Sequence, residues 1–103
     1  MNENPMVANI TMTIKPERRE VFLAAVRDLL PAGRAEPDCL FLHVGQSVTD
    51  PDVFVVSEGW RDRDEYLNVI RQKPHFQTFV QISESSFAQP PSVLPLIPVE
   101  PDL

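Results

Sequence analysis

The sequence predicts an α+β domain built on one antiparallel sheet, and three observations carry that expectation. Residues 6–14 alternate with the period of a strand, and residues 21–30 switch to the period of a helix. Two more strand-like runs follow with only a short turn between them. At 103 residues the chain has room for a single domain over 1–103 with one modest core. A domain of that size gains buried area by pairing with a second copy.

Residues 1–5 read as a loose tail. Beyond them Met6, Ala8, Ile10, Met12 and Ile14 point one way, and Val7, Asn9, Thr11 and Thr13 the other, which makes strand one. Pro16 suits the first turn of a helix, where its missing N–H is not needed, and Glu17 suits the positive end of the helix dipole. Val21, Phe22, Ala25, Val26, Leu29 and Leu30 then form one apolar stripe. Pro31 is expected to end or kink that helix near Leu30, with residues 33–37 as the exit loop.

Residues 39–46 and 53–60 are strands two and three, joined through the turn sequence Thr49-Asp50-Pro51-Asp52 as an antiparallel hairpin. Asp62 and Glu65 have capping-box spacing at the head of a helix carrying Tyr66, Leu67, Val69 and Ile70. Pro74 interrupts it, and a second run brings Phe76, Phe79 and Val80 together. The Pro-rich stretch 90–103 includes an apolar segment broken by Pro95 and Pro98. It is either an edge strand on its own sheet or an arm laid across a partner.

The resulting order, β-α-β-β-α-β, is the ferredoxin-like arrangement, with both helices on one face of the sheet. Strands two and three carry large apolar residues on both sides, Leu40, Leu42 and Val44 against Phe41, and Phe54, Val56 and Trp60 against Val53 and Val55. A sheet apolar on both faces in so short a chain implies a homodimer closed face to face, a dimeric α+β barrel.

Charge and composition exclude several classes. The net charge is −6 and the nine basic residues are scattered, which argues against nucleic acid as a partner. No apolar run approaches the ~20 residues of a membrane span, and the start lacks the pattern of a signal peptide, so a cytoplasmic protein without a membrane partner is expected. The single cysteine, Cys39, is either a small buried apolar residue or a lone thiol nucleophile. Two distant histidines and three isolated glycines build no metal, dinucleotide or phosphate motif, so no cofactor is expected.

Four short motifs add to this reading: Glu36-Pro37-Asp38-Cys39-Leu40, Asp50-Pro51-Asp52-Val53-Phe54, Glu58-Gly59-Trp60 and Pro74-His75-Phe76. In order and spacing they resemble the antibiotic biosynthesis monooxygenase (ABM) superfamily over residues 6–99. The resemblance implies a homodimer with a pocket between each sheet and its helices. Members of that superfamily include cofactor-free oxygenases of aromatic polyketides, quinol monooxygenases, haem-degrading enzymes and proteins with no assigned reaction. In the cofactor-free members an electron-rich substrate reduces dioxygen itself, and the protein supplies orientation, deprotonation and a dry cavity. Asn9 and Trp60 match pocket positions of the haem-degrading branch. The haem-ligating histidine would fall near Val80, and no histidine follows His75. Trp60 and Tyr66 match the polyketide oxygenases in spacing, whereas Val56 and Val80 stand where those enzymes carry asparagine and arginine.

The expected function is therefore cofactor-independent oxidation of an electron-rich aromatic, a quinol or polyketide phenol, by dioxygen. A non-catalytic dimer that binds a small aromatic ligand is the alternative, and haem binding ranks last. Asn9, His43 and Trp60 are the candidate catalytic residues; Phe41, Glu58, Tyr66, His75, Phe76 and Phe79 are the candidate substrate contacts. If the four-residue turn sets the register, His43 faces Glu58 across the hairpin and Phe41 faces Trp60. Each candidate also has a purely structural reading: Trp60 and Tyr66 as core aromatics, His75 as a local brace at the helix break, Asn9 as a polar residue of the sheet.

Overall fold

The computed structural model describes residues 4–99. Strand β1 (Met6–Thr13) leads through a 3-10 turn (Pro16–Arg18) into α1 (Arg19–Arg34), followed by β2 (Cys39–Gln46) and β3 (Val53–Trp60). A short α2 (Arg63–Glu65) runs into a π-helical turn (Tyr66–Ile70), then α3 (Pro74–Glu84) and β4 (Ser92–Leu96). The sheet order is β2-β3-β1-β4, with every pairing antiparallel. This is the α+β, ferredoxin-like topology that the element order predicts. The outer parts of both terminal segments, residues 1–3 of the tail and 100–103 of the Pro-rich stretch, lie outside the described residues.

One face of the sheet and the helices share the core. Phe22, Ala25, Val26, Leu29 and Gly33 form the buried stripe of α1, packed with Met12, Ile14, Leu42, Phe54, Val56 and Trp60 from the strands and Phe76 and Phe79 from α3. Val21 falls outside that stripe and is exposed. Phe22 is the hub of an aromatic group, its ring centroid 5.0 Å from Phe54 and 5.9 Å from Phe79.

Three local expectations are corrected. Pro31 does not end α1, which continues to Arg34. A proline in the last turn costs one backbone bond, and tertiary contacts hold that turn instead: the Arg34 Nε–H donates to the Leu42 carbonyl at 2.9 Å, and Gly33 lies flush against Leu42 and Phe76. A β-carbon on Gly33 would stand 2.7 Å from Leu42 Cδ2. Asp62 occupies the N-cap position in extended backbone, but no side-chain capping bond forms there. The Asp62 carbonyl instead accepts from the Tyr66 N–H at 3.0 Å.

The hairpin register also differs by one residue. Ser47, not Val48, closes the turn: its N–H donates to the Val53 carbonyl at 2.9 Å, and its hydroxyl accepts from the N–H groups of Thr49 and Asp50, each at 3.2 Å. His43 consequently faces Ser57 and Leu42 faces Glu58. The same register puts Phe41 opposite Gly59, and a β-bulge between Cys39 and Phe41 then puts Cys39 opposite Trp60. Neither a His43–Glu58 pair nor a Phe41–Trp60 pair exists across the hairpin.

Strand β4 is an edge strand on its own sheet, with Pro95 opposite Ala8, where the absent N–H is tolerated. Chain return to that edge is fixed by Lys15 N–H to Ser86 O and Ala88 N–H to Thr13 O, both 2.8 Å.

Candidate functional site

Strand parity decides which candidates meet. On β3, Phe54, Val56, Glu58 and Trp60 share the helix-facing side, and all four are buried. A carboxyl group therefore enters the core with only 5% of Glu58 exposed. An unsatisfied buried carboxylate is costly, so its partners matter. The Trp60 indole Nε1–H donates to Glu58 Oε1 at 2.7 Å, a short bond within one strand face. Tyr66, from the π-helical turn, brings its phenol close enough to the same carboxyl for the two groups to influence each other's ionisation.

Aromatic rings enclose this group. Tyr66 stacks on Trp60 with centroids 4.5 Å apart and planes 22° from parallel. Phe76 meets Trp60 edge-on at 5.7 Å and Tyr66 at 6.0 Å. Trp60 itself is wholly buried. Burial pushes the Glu58 carboxyl above the ordinary carboxylate range, against the opposing pull of the Trp60 and Tyr66 hydrogen bonds and the charge of Arg71. Burial also raises the Tyr66 phenol, reinforced by the negative charge of Glu58 and opposed by Arg71. Both groups thus resist ionisation.

The rim is polar. Lys73 Nζ bonds both carboxylate oxygens of Glu36, at 2.8 and 3.0 Å. His75 Nε2 stands 3.5 Å from Glu36 Oε2, too far for a good hydrogen bond, and its ring tilts against Phe76 at 4.9 Å. Cys39, opposite Trp60, has its thiol pushed up by burial and by Glu58 and Glu36, with Arg34 opposing; it stays protonated and suits a small packing residue.

Glu58, Trp60, Tyr66 and Phe76 are thus gathered into one cluster, with His75 at its border. Phe79 belongs to the neighbouring Phe22–Phe54 group. Asn9, Phe41 and His43 are elsewhere. Asn9 pairs with Ser57 and Leu94, and His43 with Ser57, so both lie on the opposite face of the sheet from Trp60. Phe41 shares that outer face and lies across Gly59, with its ring where a β-carbon would sit. No motif in the sequence marks Arg71 or Lys73; the turn after Ile70 brings the charge of Arg71 to bear on Glu58 and sets Lys73 on Glu36. Among the described residues no three His, Cys, Asp or Glu side chains come together as a metal-binding group, and no helix is long and apolar enough to cross a membrane.

The ferredoxin-like α+β topology thus holds an aromatic-lined carboxyl between the sheet and its helices. The chain belongs to the antibiotic biosynthesis monooxygenase family, whose model matches residues 5–82. It is 29% identical over 91 residues to the uncharacterized protein sll1783 of Synechocystis, covering 88% of this chain but 61% of that protein's length. It is 28% identical over 89 residues to YcnE of Bacillus subtilis, which bears a provisional monooxygenase name, covering 86% of this chain and 93% of that one. A solved crystal structure of an antibiotic biosynthesis monooxygenase matches with a TM-score of 0.83 at 28% identity, covering 92% of this chain and 99% of the other.

Replacing Glu58 gives a direct stability test. Glu58→Ala leaves the buried Trp60 N–H without an acceptor and should cost about 1–3 kcal/mol in urea unfolding. A carboxyl raised in the folded state contributes stability that is fully present below its unfolded value and is lost as pH rises through the folded one. Glu58→Gln, which cannot ionise, should therefore gain relative to the native chain as pH rises from acid toward neutral.

Proposed function

We propose that this domain is a cofactor-independent monooxygenase that oxidises an electron-rich phenolic or quinol ring with dioxygen, using the Glu58–Trp60–Tyr66 cluster. The observation that carries the reading is a buried carboxyl of raised proton affinity, held by an indole N–H and enclosed by stacked aromatic rings. Membership of a monooxygenase family supports the same class of reaction.

In this reading Glu58 accepts the phenolic proton, because a base whose proton affinity lies closer to neutrality matches the task better than an ordinary carboxylate. The electron-rich phenolate then reduces dioxygen. One oxygen atom becomes a carbonyl on the ring and the other leaves as water, so a phenol and dioxygen give a quinone and water with no external reductant. Trp60 and Phe76 orient the ring and keep water out. The closed aromatic packing also fits the simpler role of ligand binding without turnover, and the same assay separates the two.

The reading also includes a second copy of the chain. Val7, Asn9 and Thr11 of β1 share the outer sheet face with Leu94 and Leu96 of β4, and these two leucines are 57% and 39% exposed. Exposed leucines beside Val7 on one sheet face are the kind of surface a second copy covers in a homodimer. Asn9 and His43 then belong to the interface, not to the reaction. This reading sets the reaction in the cytoplasm, whose reducing conditions suit the free Cys39 thiol.

Oxygen uptake by the purified chain with a panel of quinols and polyphenols, corrected for autoxidation, tests the chemistry. Saturable uptake should fall at least about tenfold in Glu58→Gln, in line with the loss of a general base. Binding without uptake would favour the non-catalytic role. For the assembly, light scattering should report a dimer for the native chain and a monomer for Leu94→Asp; a monomeric native chain would refute the interface.

A further inference from the structure

Tyr66 is placed as a bound phenol would be. Its ring lies flat on Trp60 at 4.5 Å, its edge meets Phe76, and its phenol neighbours the buried carboxyl of Glu58. Glu58 Oε1 is already held by the Trp60 indole N–H at 2.7 Å, so the carboxyl is oriented independently of Tyr66. Removing the Tyr66 side chain would leave an indole face, an aromatic edge and an oriented acceptor, the complement of a ring bearing one hydroxyl group.

The segment that carries Tyr66 is also the least regular part of the core. It follows a three-residue α2, forms a π-helical turn closed by Arg71 N–H to Tyr66 O at 2.8 Å, and ends before Pro74. A π-turn inserts a residue into the helical ladder and recurs at functional sites. Asn68 and Val69 are exposed, so only Tyr66 and Ile70 of the turn are fully committed to the core. Packing alone does not call for a tyrosine beside a buried carboxyl, since an apolar pair there would avoid burying two polar groups.

We propose that Tyr66 fills the ligand's own seat in the empty protein, and that a phenolic ring binds by displacing it from Trp60 and directing its own hydroxyl at Glu58. The inference rests on the reading of this cluster as the aromatic site and adds that the site is self-occupied. The ligand class follows from the seat: a ring of phenol or quinol size with a hydroxyl directed at Glu58. Self-occupation lowers apparent affinity by the fraction of molecules whose seat is open. Weakening Tyr66's hold therefore strengthens ligand binding.

The chain contains one tyrosine and one tryptophan, so each can be observed alone. The test is fluorine NMR of the full chain labelled with 3-fluorotyrosine or, separately, 5-fluorotryptophan, titrated under anaerobic conditions with phenol and with hydroquinone. The Tyr66 signal should move saturably to a solvent-exposed position, sensitive to the H2O/D2O ratio, while the Trp60 signal shifts but stays solvent-protected. Tyr66→Phe, which keeps the ring and loses the hydroxyl, should bind phenol about threefold to tenfold more tightly, the worth of one net hydrogen bond. Toluene, lacking the hydroxyl, should not displace Tyr66. A Tyr66 signal that stays buried while phenol binds, or at saturating phenol with no binding, would overturn the proposal, as would unchanged phenol affinity in Tyr66→Phe. The outcomes separate from the oxidation reading: displacement without oxygen uptake leaves a self-occupied binding site, and uptake with Tyr66 immobile leaves an oxygenase whose ring binds elsewhere.

Discussion

A carboxyl group carried into the core of a small domain constrains everything packed around it. Strand β3 has to place Phe54, Val56 and Trp60 under the helices, and the two-residue period of a strand takes Glu58 with them. Once there, the carboxyl needs donors. The indole N–H of Trp60 supplies one from the same strand, and the Tyr66 phenol lies beside the same carboxyl from across the core. The π-turn sets Tyr66 on Trp60, and Phe76 packs edge-on against both rings.

Much of this fold was legible in the chain because its periods are clean. The bounds of β2 and β3 follow from alternation and turn residues, and the stripe from Phe22 to Leu29 marks the buried side of α1. What escaped was decided by interactions with no local signature. Ser47 takes over the hairpin turn through two weak hydroxyl bonds, and a one-residue change of register undoes the His43–Glu58 pairing. Pro31 reads as a stop, yet packing of Gly33 against Leu42 and Phe76 carries α1 one turn further. The Asp62–Glu65 spacing looks like a capping box, but the chain there turns through backbone bonds. The candidate cluster itself was half legible. Strand parity alone puts Glu58 beside Trp60, whereas the arrival of Tyr66 on that pair depends on the π-turn.

The sheet separates two tasks. Its helix side holds the carboxyl and its aromatic enclosure; its outer side carries Val7, Leu94 and Leu96 together with Asn9, Thr11 and His43. Residues that look like one constellation in sequence are thereby divided by the thickness of a strand. A fold shared across a family fixes this division but not the chemistry performed on it. In this chain the chemistry is argued from Glu58, whose proton affinity is raised by burial while its hydrogen bonds hold it in place.

The most direct test of that claim is a carbon-13 NMR titration of the Glu58 side-chain carboxyl in the full chain, assigned by its loss in Glu58→Gln. The account predicts a midpoint above the ordinary carboxylate range, displaced further upward in Tyr66→Phe, where one stabilising donor to the charged form is lost. A midpoint at or below the ordinary value would show a permanently ionised carboxylate held for structural reasons, and would contradict the assignment of Glu58 as the proton acceptor.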